Sequence, residues 1–313
     1  YLFCLNIVLR PAIFVTLSLI FHNYFKIYDF ALIYSLILSF FITAVASNFL
    51  IFKKNTSGKY EKKIISKFFS YGFPLTGLFI FDYILTFSDR LLIGHYLGSD
   101  MVGMYGANYD LIKMMVLFGM IIQGYIIYPE LNNTFEKNDL NEVKKLMTFN
   151  FNIFITVFLP LCVFILYFNN SISDIFIGKK FTILSSELIP LFSMMFLFWG
   201  LTIHHFDYIF QLSEKTSLSM YILFFGSFIN LLLNIFLIPR LELLGAAYAT
   251  FISYFIILLI SLLISRKLLK VAIDIKILIK TGIFLIMSLI ISIVFSRFGL
   301  NDFIVMAIFI SCY

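Results

Sequence analysis

The sequence predicts an all-α polytopic membrane protein with about ten transmembrane helices. Three observations carry that class. Apolar residues make up 61% of the 313 and charged ones 13%, with a mean hydropathy of +1.00, where a soluble domain carries about 25% charge. Apolar segments recur at 1–21, 30–52, 68–88, 102–128, 147–168, 183–208, 217–238, 243–265, 275–296 and 302–313. Most are long enough, at about 1.5 Å per residue, to cross a ~30 Å hydrocarbon layer. The runs are also unbroken, which excludes an outer-membrane barrel with its alternating strands of about ten residues. The chain begins at Tyr1 inside one apolar run and stops at Tyr313 in a run too short to span, so it is expected to be a piece of a longer protein. Residues 1–21 do not form a signal peptide, since Arg10-Pro11 interrupts them and no basic leader precedes them.

The loops set the orientation. Loops 53–67, 129–146, 209–216 and 266–280 hold fifteen Lys and Arg, while the alternate set 22–29, 89–101, 169–182, 239–242 and 297–301 holds six. The positive-inside rule places the first set in the cytoplasm. The net charge of +6 comes from these loop lysines and is no sign of nucleic-acid binding. Cys4, Cys162 and Cys312 all lie in or beside apolar runs without CxxC or Cys/His spacing, so neither a metal site nor a disulfide framework is expected. No cofactor is implied.

Each element has its own reading. The first span carries Arg10-Pro11 near its middle, either a kink with a paired arginine or a cation lining an anion path. Residues 30–52 have no charge but a stripe of Ser35, Ser39, Thr43, Ala46 and Ser47, suited to close helix packing. Residues 53–67, with six lysines, form a cytoplasmic linker with a short amphipathic helix near 60–70, facing anionic lipid. The centre of the chain is 68–129. Gly72 and Pro74 loosen the start of its first helix, a polar corner runs from Ser88-Asp89-Arg90 to Gly103, and Pro129 closes the second helix. Asp82 lies inside the first of these helices and Asp110 and Lys113 inside the second. Charges within a span are costly and face a cavity or another helix. Asp82 shares a face with Asp89, two turns deeper, and is a candidate for coupling ions or protons or for holding sugar hydroxyls, unless it is matched by a partner elsewhere. Asp89 and Arg90 are expected to end the helix and fix the corner, or to pair across the bundle, in preference to contacting substrate. Asp110 and Lys113, at i and i+3, either pair with each other or present Lys113 to an anionic headgroup.

Further along, 130–146 reads as an amphipathic cytoplasmic helix. His204, Asp207 and Gln211 are expected on one helical face, as a hydrogen-bonded polar surface or a titrating His–Asp pair. Asn230 and Asn234 offer helix-to-helix bonds or a sugar-facing surface. Residues 243–265 and 275–296 are ordinary spans.

Several residues together resemble one family. They are Tyr71-Gly72-Phe73-Pro74, Ser88-Asp89-Arg90 with Leu91, Leu92, Ile93 and Gly94, then Leu97-Gly98, Val102-Gly103, Tyr105, Tyr109 and Pro129. A second patch adds Ile238-Pro239 and Leu244-Gly245-Ala246-Ala247-Tyr248-Ala249-Thr250. This pattern is similar to polysaccharide flippases of the Wzx type, in the superfamily that also holds lipid II flippases and multidrug and toxin extruders. The resemblance implies two helical bundles around a central cavity. Residues 1–52 would end the N-terminal bundle, 53–67 link the two, 68–265 form the C-terminal bundle and 266–313 add further helices, the last truncated. It implies structural roles for Gly72, Pro74, Asp89, Arg90, Gly98, Gly103 and Tyr105. The expected activity is translocation of a polyprenyl-pyrophosphate-linked oligosaccharide across a bacterial cytoplasmic membrane for surface polysaccharide, O-antigen or lipopolysaccharide synthesis. The partners would be that lipid, the bilayer, a polymerase and a chain-length regulator, with H+ or Na+ as coupling ion. Arg10, Asp82, Asp110, Lys113, His204, Asp207, Asn230 and Asn234 are the candidates for the substrate path. A multidrug exporter and a lipid II flippase are the rivals in the superfamily. A membrane polymerase or glycosyltransferase is the rival from another class, disfavoured because the external loops are short and no catalytic constellation stands out.

Overall fold

The computed structural model describes residues 2–24, 30–54, 62–271, 274–298 and 300–312, and no strand occurs among them. Parts of loop 22–29 and of the basic stretch 53–67 lie outside the described residues, as do the side chains of Cys4 and Tyr71. The chain divides into two compact units, Tyr1–Ile65 and Ser66–Tyr313.

The first unit holds α1 (Leu2–Asn23) and α2 (Ala31–Lys54), packed along each other. Ala31, Ser35, Ser39 and Thr43 recur every four residues and are buried, because small side chains let two backbones approach closely. Their hydroxyls bond back within the helix, as Thr43 Oγ1 does to the Ser39 carbonyl at 2.8 Å, so none is left bare in an apolar setting. The small-residue stripe ends there, and Ala46 is exposed.

The second unit holds α3 (Lys62–Leu97), α4 (Ser99–Glu136), α5 (Leu140–Tyr167), the short α6 (Asn169–Phe176), α7 (Ser185–Leu201), α8 (Asp207–Leu212), α9 (Thr216–Leu268), α10 (Ile275–Arg297) and α11 (Asp302–Cys312). At its centre α7 packs on α4, α5, α6 and α9, while α10 packs on α5 and carries α11. An aromatic cluster fills the core: Phe192 meets Tyr105 edge-on at 5.2 Å and Tyr109 at 5.4 Å. Large apolar side chains such as Phe79, Phe118, Phe236 and Ile290 point outward, as befits helices solvated by lipid. Among the described residues six helices are long and apolar enough to cross a membrane. One of them, α9, has 53 residues and is broken at Glu242 (φ 52°, ψ −131°), which divides it into two spans at the expected place.

The helix ends differ from the expected ones in four places. The polar corner does not lie at Asp89-Arg90, because α3 runs on to Leu97 and the chain turns at Gly98, whose φ of 91° is open to glycine and strained for other residues. Gly72 and Pro74 do not start α3, which begins at Lys62 and absorbs the expected surface helix. Pro129 does not close α4. The helix continues through it to Glu136, and the turn follows at Asn138 (φ 59°). With α4 extended, no separate helix occupies 130–146. Instead α5 starts at Leu140, capped by Asp139, whose carboxylate accepts from the Glu142 N–H at 3.0 Å.

The two halves of α9 come together tightly at Gly245. A Cβ there would stand 2.3 Å from the Leu237 carbonyl oxygen across the break. Gly245→Ala is therefore expected to lower the thermal midpoint of the purified protein in detergent, at a cost on the order of 1–3 kcal/mol. Gly282→Ala, where no atom lies within 4 Å, should change stability by less than about 0.5 kcal/mol. Equal midpoints for the two variants would contradict the close contact.

Candidate functional site

Within the second unit a cavity of about 250 Å³ opens between α3, the α7–α8 segment and α9. Helix α3 contributes Asp82. The α7–α8 segment contributes Trp199, Thr202, Asp207 and Gln211, and α9 contributes Ser219, Tyr254 and Ser261 on otherwise apolar walls. Ser219 Oγ donates to Asp207 Oδ1 at 2.9 Å. The Asp82 carboxylate feels the ammonium of Lys113 and the indole of Trp199, and it feels Asp207 as a like charge. Two carboxylates in one small, mostly apolar hollow disfavour double ionisation, and a proton or a metal cation between them relieves the repulsion.

Asp207 reaches this cavity because of a local irregularity. Residues Thr202–Phe206 form a π-helical turn between α7 and α8, and the Asp207 N–H donates to the Thr202 carbonyl five residues back. In an unbroken α-helix, at roughly 100° per residue, Asp207 would lie about 80° round from Trp199. The extra residue held in a π-turn sets the following helix back by about one position, which returns Asp207 to within about 20° of Trp199. Gln211, one turn on, follows it. The expected face of His204, Asp207 and Gln211 is thereby split, and His204 does not line the cavity. It is buried, with Nδ1 3.2 Å from the Tyr208 hydroxyl. Its backbone carbonyl, freed by the π-turn, accepts from Asn150 Nδ2 at 2.6 Å.

The other singled-out residues fall into separate groups. Asp110 pairs with Arg90 at 2.6 Å and not with Lys113. Distance along one helix made i, i+3 pairing feasible, but the longer guanidinium on α3 takes the carboxylate. Lys113 lies over the Tyr109 ring at 5.9 Å. Asp89 is fully buried instead of exposed at a corner, and the Tyr105 hydroxyl donates to it at 2.6 Å. Asn230 and Asn234 are also fully buried. Asn230 accepts from Ser88 at 3.2 Å and from Asn234 at 3.0 Å and donates to Thr250 at 3.3 Å, stitching α3 to both halves of α9. Arg10, in the first unit, is exposed, with its guanidinium 4.4 Å from the centre of the Phe40 ring.

Sequence reasoning passed over Ser219, Tyr254, Gln123 and Asn150. The last two carried a usable signal, an amide inside each of two apolar runs. Gln123 Nε2 donates to Asn150 Oδ1 at 2.7 Å, and this pair backs the π-turn. Ser219 and Tyr254 have no signal, since hydroxyls are common in these helices. Two outcomes check the geometry. In a background free of other cysteines, Ile203→Cys and Gln211→Cys should react with a small thiol reagent and buried His205→Cys should not; the reverse pattern would mean the π-turn is absent. Asn150→Ala should cost about 1–3 kcal/mol in thermal unfolding, because it orphans the His204 carbonyl and leaves the Gln123 amide only the backbone carbonyl of residue 150.

Comparison with known proteins places this geometry. A family model described as "Polysaccharide biosynthesis protein" matches residues 4–186, more than half of the chain. An uncharacterized membrane protein of Methanocaldococcus jannaschii is 24% identical over 201 residues, covering 63% of this chain and 38% of that protein. A probable low-salt glycan biosynthesis flippase, Agl15, of Haloferax volcanii is 25% identical over 173 residues, covering 55% of this chain and 36% of that protein. The matched stretches thus span little more than a third of the length of these two relatives. A solved structure, the outward-facing conformation of a multidrug resistance MATE family transporter of the MOP superfamily, superposes with a TM-score of 0.65 at 13% identity, covering 84% of this chain and 61% of that one. The fold is that of the MOP transporters, and the chain belongs to the polysaccharide biosynthesis protein family, whose model it matches over most of its first two-thirds.

Proposed function

We propose that this chain forms most of a flippase that moves a polyprenyl-pyrophosphate-linked oligosaccharide from the inner to the outer leaflet for surface polysaccharide synthesis. The observation that carries the reading is the conjunction of a polysaccharide-biosynthesis family with a transporter's fold. A protein of glycan assembly built on an exporter's body has transport, not bond formation, as its task. The flippase name of the Haloferax relative points the same way. Alternating access would carry the polar headgroup through the protein while the prenyl tail stays in the bilayer. Lys113 in the second unit and, separately, Arg10 in the first would each offset pyrophosphate charge. The membrane would be the bacterial cytoplasmic membrane, and the neighbours in the pathway a polymerase and a chain-length regulator.

The cavity supplies the coupling step in this reading. A proton or Na+ shared by Asp82 and Asp207 would be taken up on one side and released on the other as the helices rearrange. Binding it neutralises a buried like-charge pair, so occupancy shifts the balance between two conformations. The fold likeness to a multidrug transporter and the same acidic cavity favour a cation-coupled drug exporter as the second reading.

The two readings separate in a full-length gene deletion. Loss of surface polymer with lipid-linked repeat units accumulating inside supports the flippase. Intact polymer with a new drug sensitivity supports the exporter and overturns it. Complementation with Asp82→Asn or Asp207→Asn should restore expression of the protein but not the polymer. Full rescue by both variants would remove the cavity from the mechanism.

A further inference from the structure

Arg90 is next in sequence to one carboxylate and bound to another. Its Nη2 donates to Asp110, a residue with 55% of its side chain exposed. Asp89 is fully buried, and among the described residues no cation stands within ion-pair distance of it. Its carboxyl accepts from the Tyr105 hydroxyl at 2.6 Å and from the Arg90 backbone N–H at 2.7 Å, and its own backbone N–H and the Arg90 charge also act on it. The titratable and charged groups that act on it are Arg90 on its own helix, Tyr105 and Tyr109 on α4, and Tyr254 on α9. From α7 the neighbouring cluster receives the apolar Phe192. An ionised carboxylate buried without a cation costs several kcal/mol, and a neutral acid far less.

The neutral acid also completes a hydrogen-bond chain. The acid O–H donates to Tyr105 Oη. The Tyr105 O–H then turns to Thr250, its other side-chain partner. Thr250 Oγ1 donates to the Ala246 carbonyl at 2.9 Å. Every donor in the chain has an acceptor, as burial requires.

We propose that Asp89 is a proton-binding site and that its proton decides which carboxylate holds Arg90. With the proton bound, Arg90 bridges α3 to Asp110 on α4, the arrangement present here. When the Asp89 O–H bond breaks, the proton passes to water and no other covalent bond changes. The anion left behind lies beside a guanidinium whose Nε has no partner. Arg90 then leaves Asp110 and turns inward. The rings of Tyr109, 5.3 Å from the guanidinium carbon, and Phe87, 5.4 Å away, offer a face over which it can swing. The exchange releases the α3–α4 bridge and frees an exposed carboxylate, so a buried proton is reported at the surface. This site is separate from the cavity: Asp82 is seven residues earlier, about 10 Å along α3.

The test is infrared spectroscopy of the full-length protein in lipid at mildly acidic pH, following the carbonyl stretch of protonated carboxyl groups. One carboxyl's intensity should vanish in Asp89→Asn. It should vanish equally in Asp110→Asn, where the freed Arg90 pairs with Asp89 and expels its proton. It should persist in Asp82→Asn, so a failure of the cavity reading leaves this result untouched. No change in Asp89→Asn would mean that Asp89 is ionised and would overturn the site. Loss in Asp89→Asn with persistence in Asp110→Asn would overturn the arginine exchange. Because Asp110 is exposed, that variant still reads the exchange if Asp89→Asn fails to fold.

Discussion

Hydrocarbon does not solvate charge, and most of this architecture answers that constraint on one helix. Along α3 the residues Asp82, Ser88, Asp89 and Arg90 bring polar groups deep into an apolar run. Each is met by something different. Asp82 faces a hollow, Ser88 an asparagine, Asp89 a tyrosine, and Arg90 a carboxylate on α4. Helix α3 has few close backbone neighbours, so these side-chain bonds, with the Phe81–Phe224 ring contact at 5.0 Å, hold it against α4 and α9. These directed polar contacts add to the apolar packing of Leu85 and Ile93 in the core, and changing the charge of one of them loosens that hold.

The second organising feature is the π-turn at Thr202–Phe206. Without the extra residue, α8 would present Phe206 and Phe210 where Asp207 and Gln211 now stand, and that wall of the cavity would be apolar. The turn exposes a carbonyl that a helix would have satisfied, and Asn150, itself held by Gln123, takes it up. A distortion of backbone in one helix is thus stabilised by amides on two others, and it places a carboxylate opposite Asp82. Family and fold place the chain among membrane transporters of polysaccharide biosynthesis, and Asp82 and Asp207 line one cavity within it.

Much of this was legible from residues alone. The helical class, the division of α9 near Pro239 and the small-residue stripe of α2 all follow from hydropathy and spacing. The helix ends at Asp89, Gly72–Pro74 and Pro129 were misplaced for a common reason. Polar residues and prolines were taken as terminators, whereas inside a bundle a neighbouring side chain satisfies them and the helix runs on. The Asp110–Lys113 pairing was misjudged because helical spacing counts neighbours on one helix and is blind to Arg90 arriving from another.

Composition and periodicity by themselves determined that this chain lives in a membrane as a set of helices, because a long apolar run has no other way to satisfy its backbone there. They also marked which charged residues needed an explanation. Only the tertiary structure decided which of those charges share a cavity, which are locked into pairs and which sits buried on a tyrosine hydroxyl and a backbone amide. Those outcomes depend on how helices remote in sequence rotate against each other, and on a single extra residue in one turn.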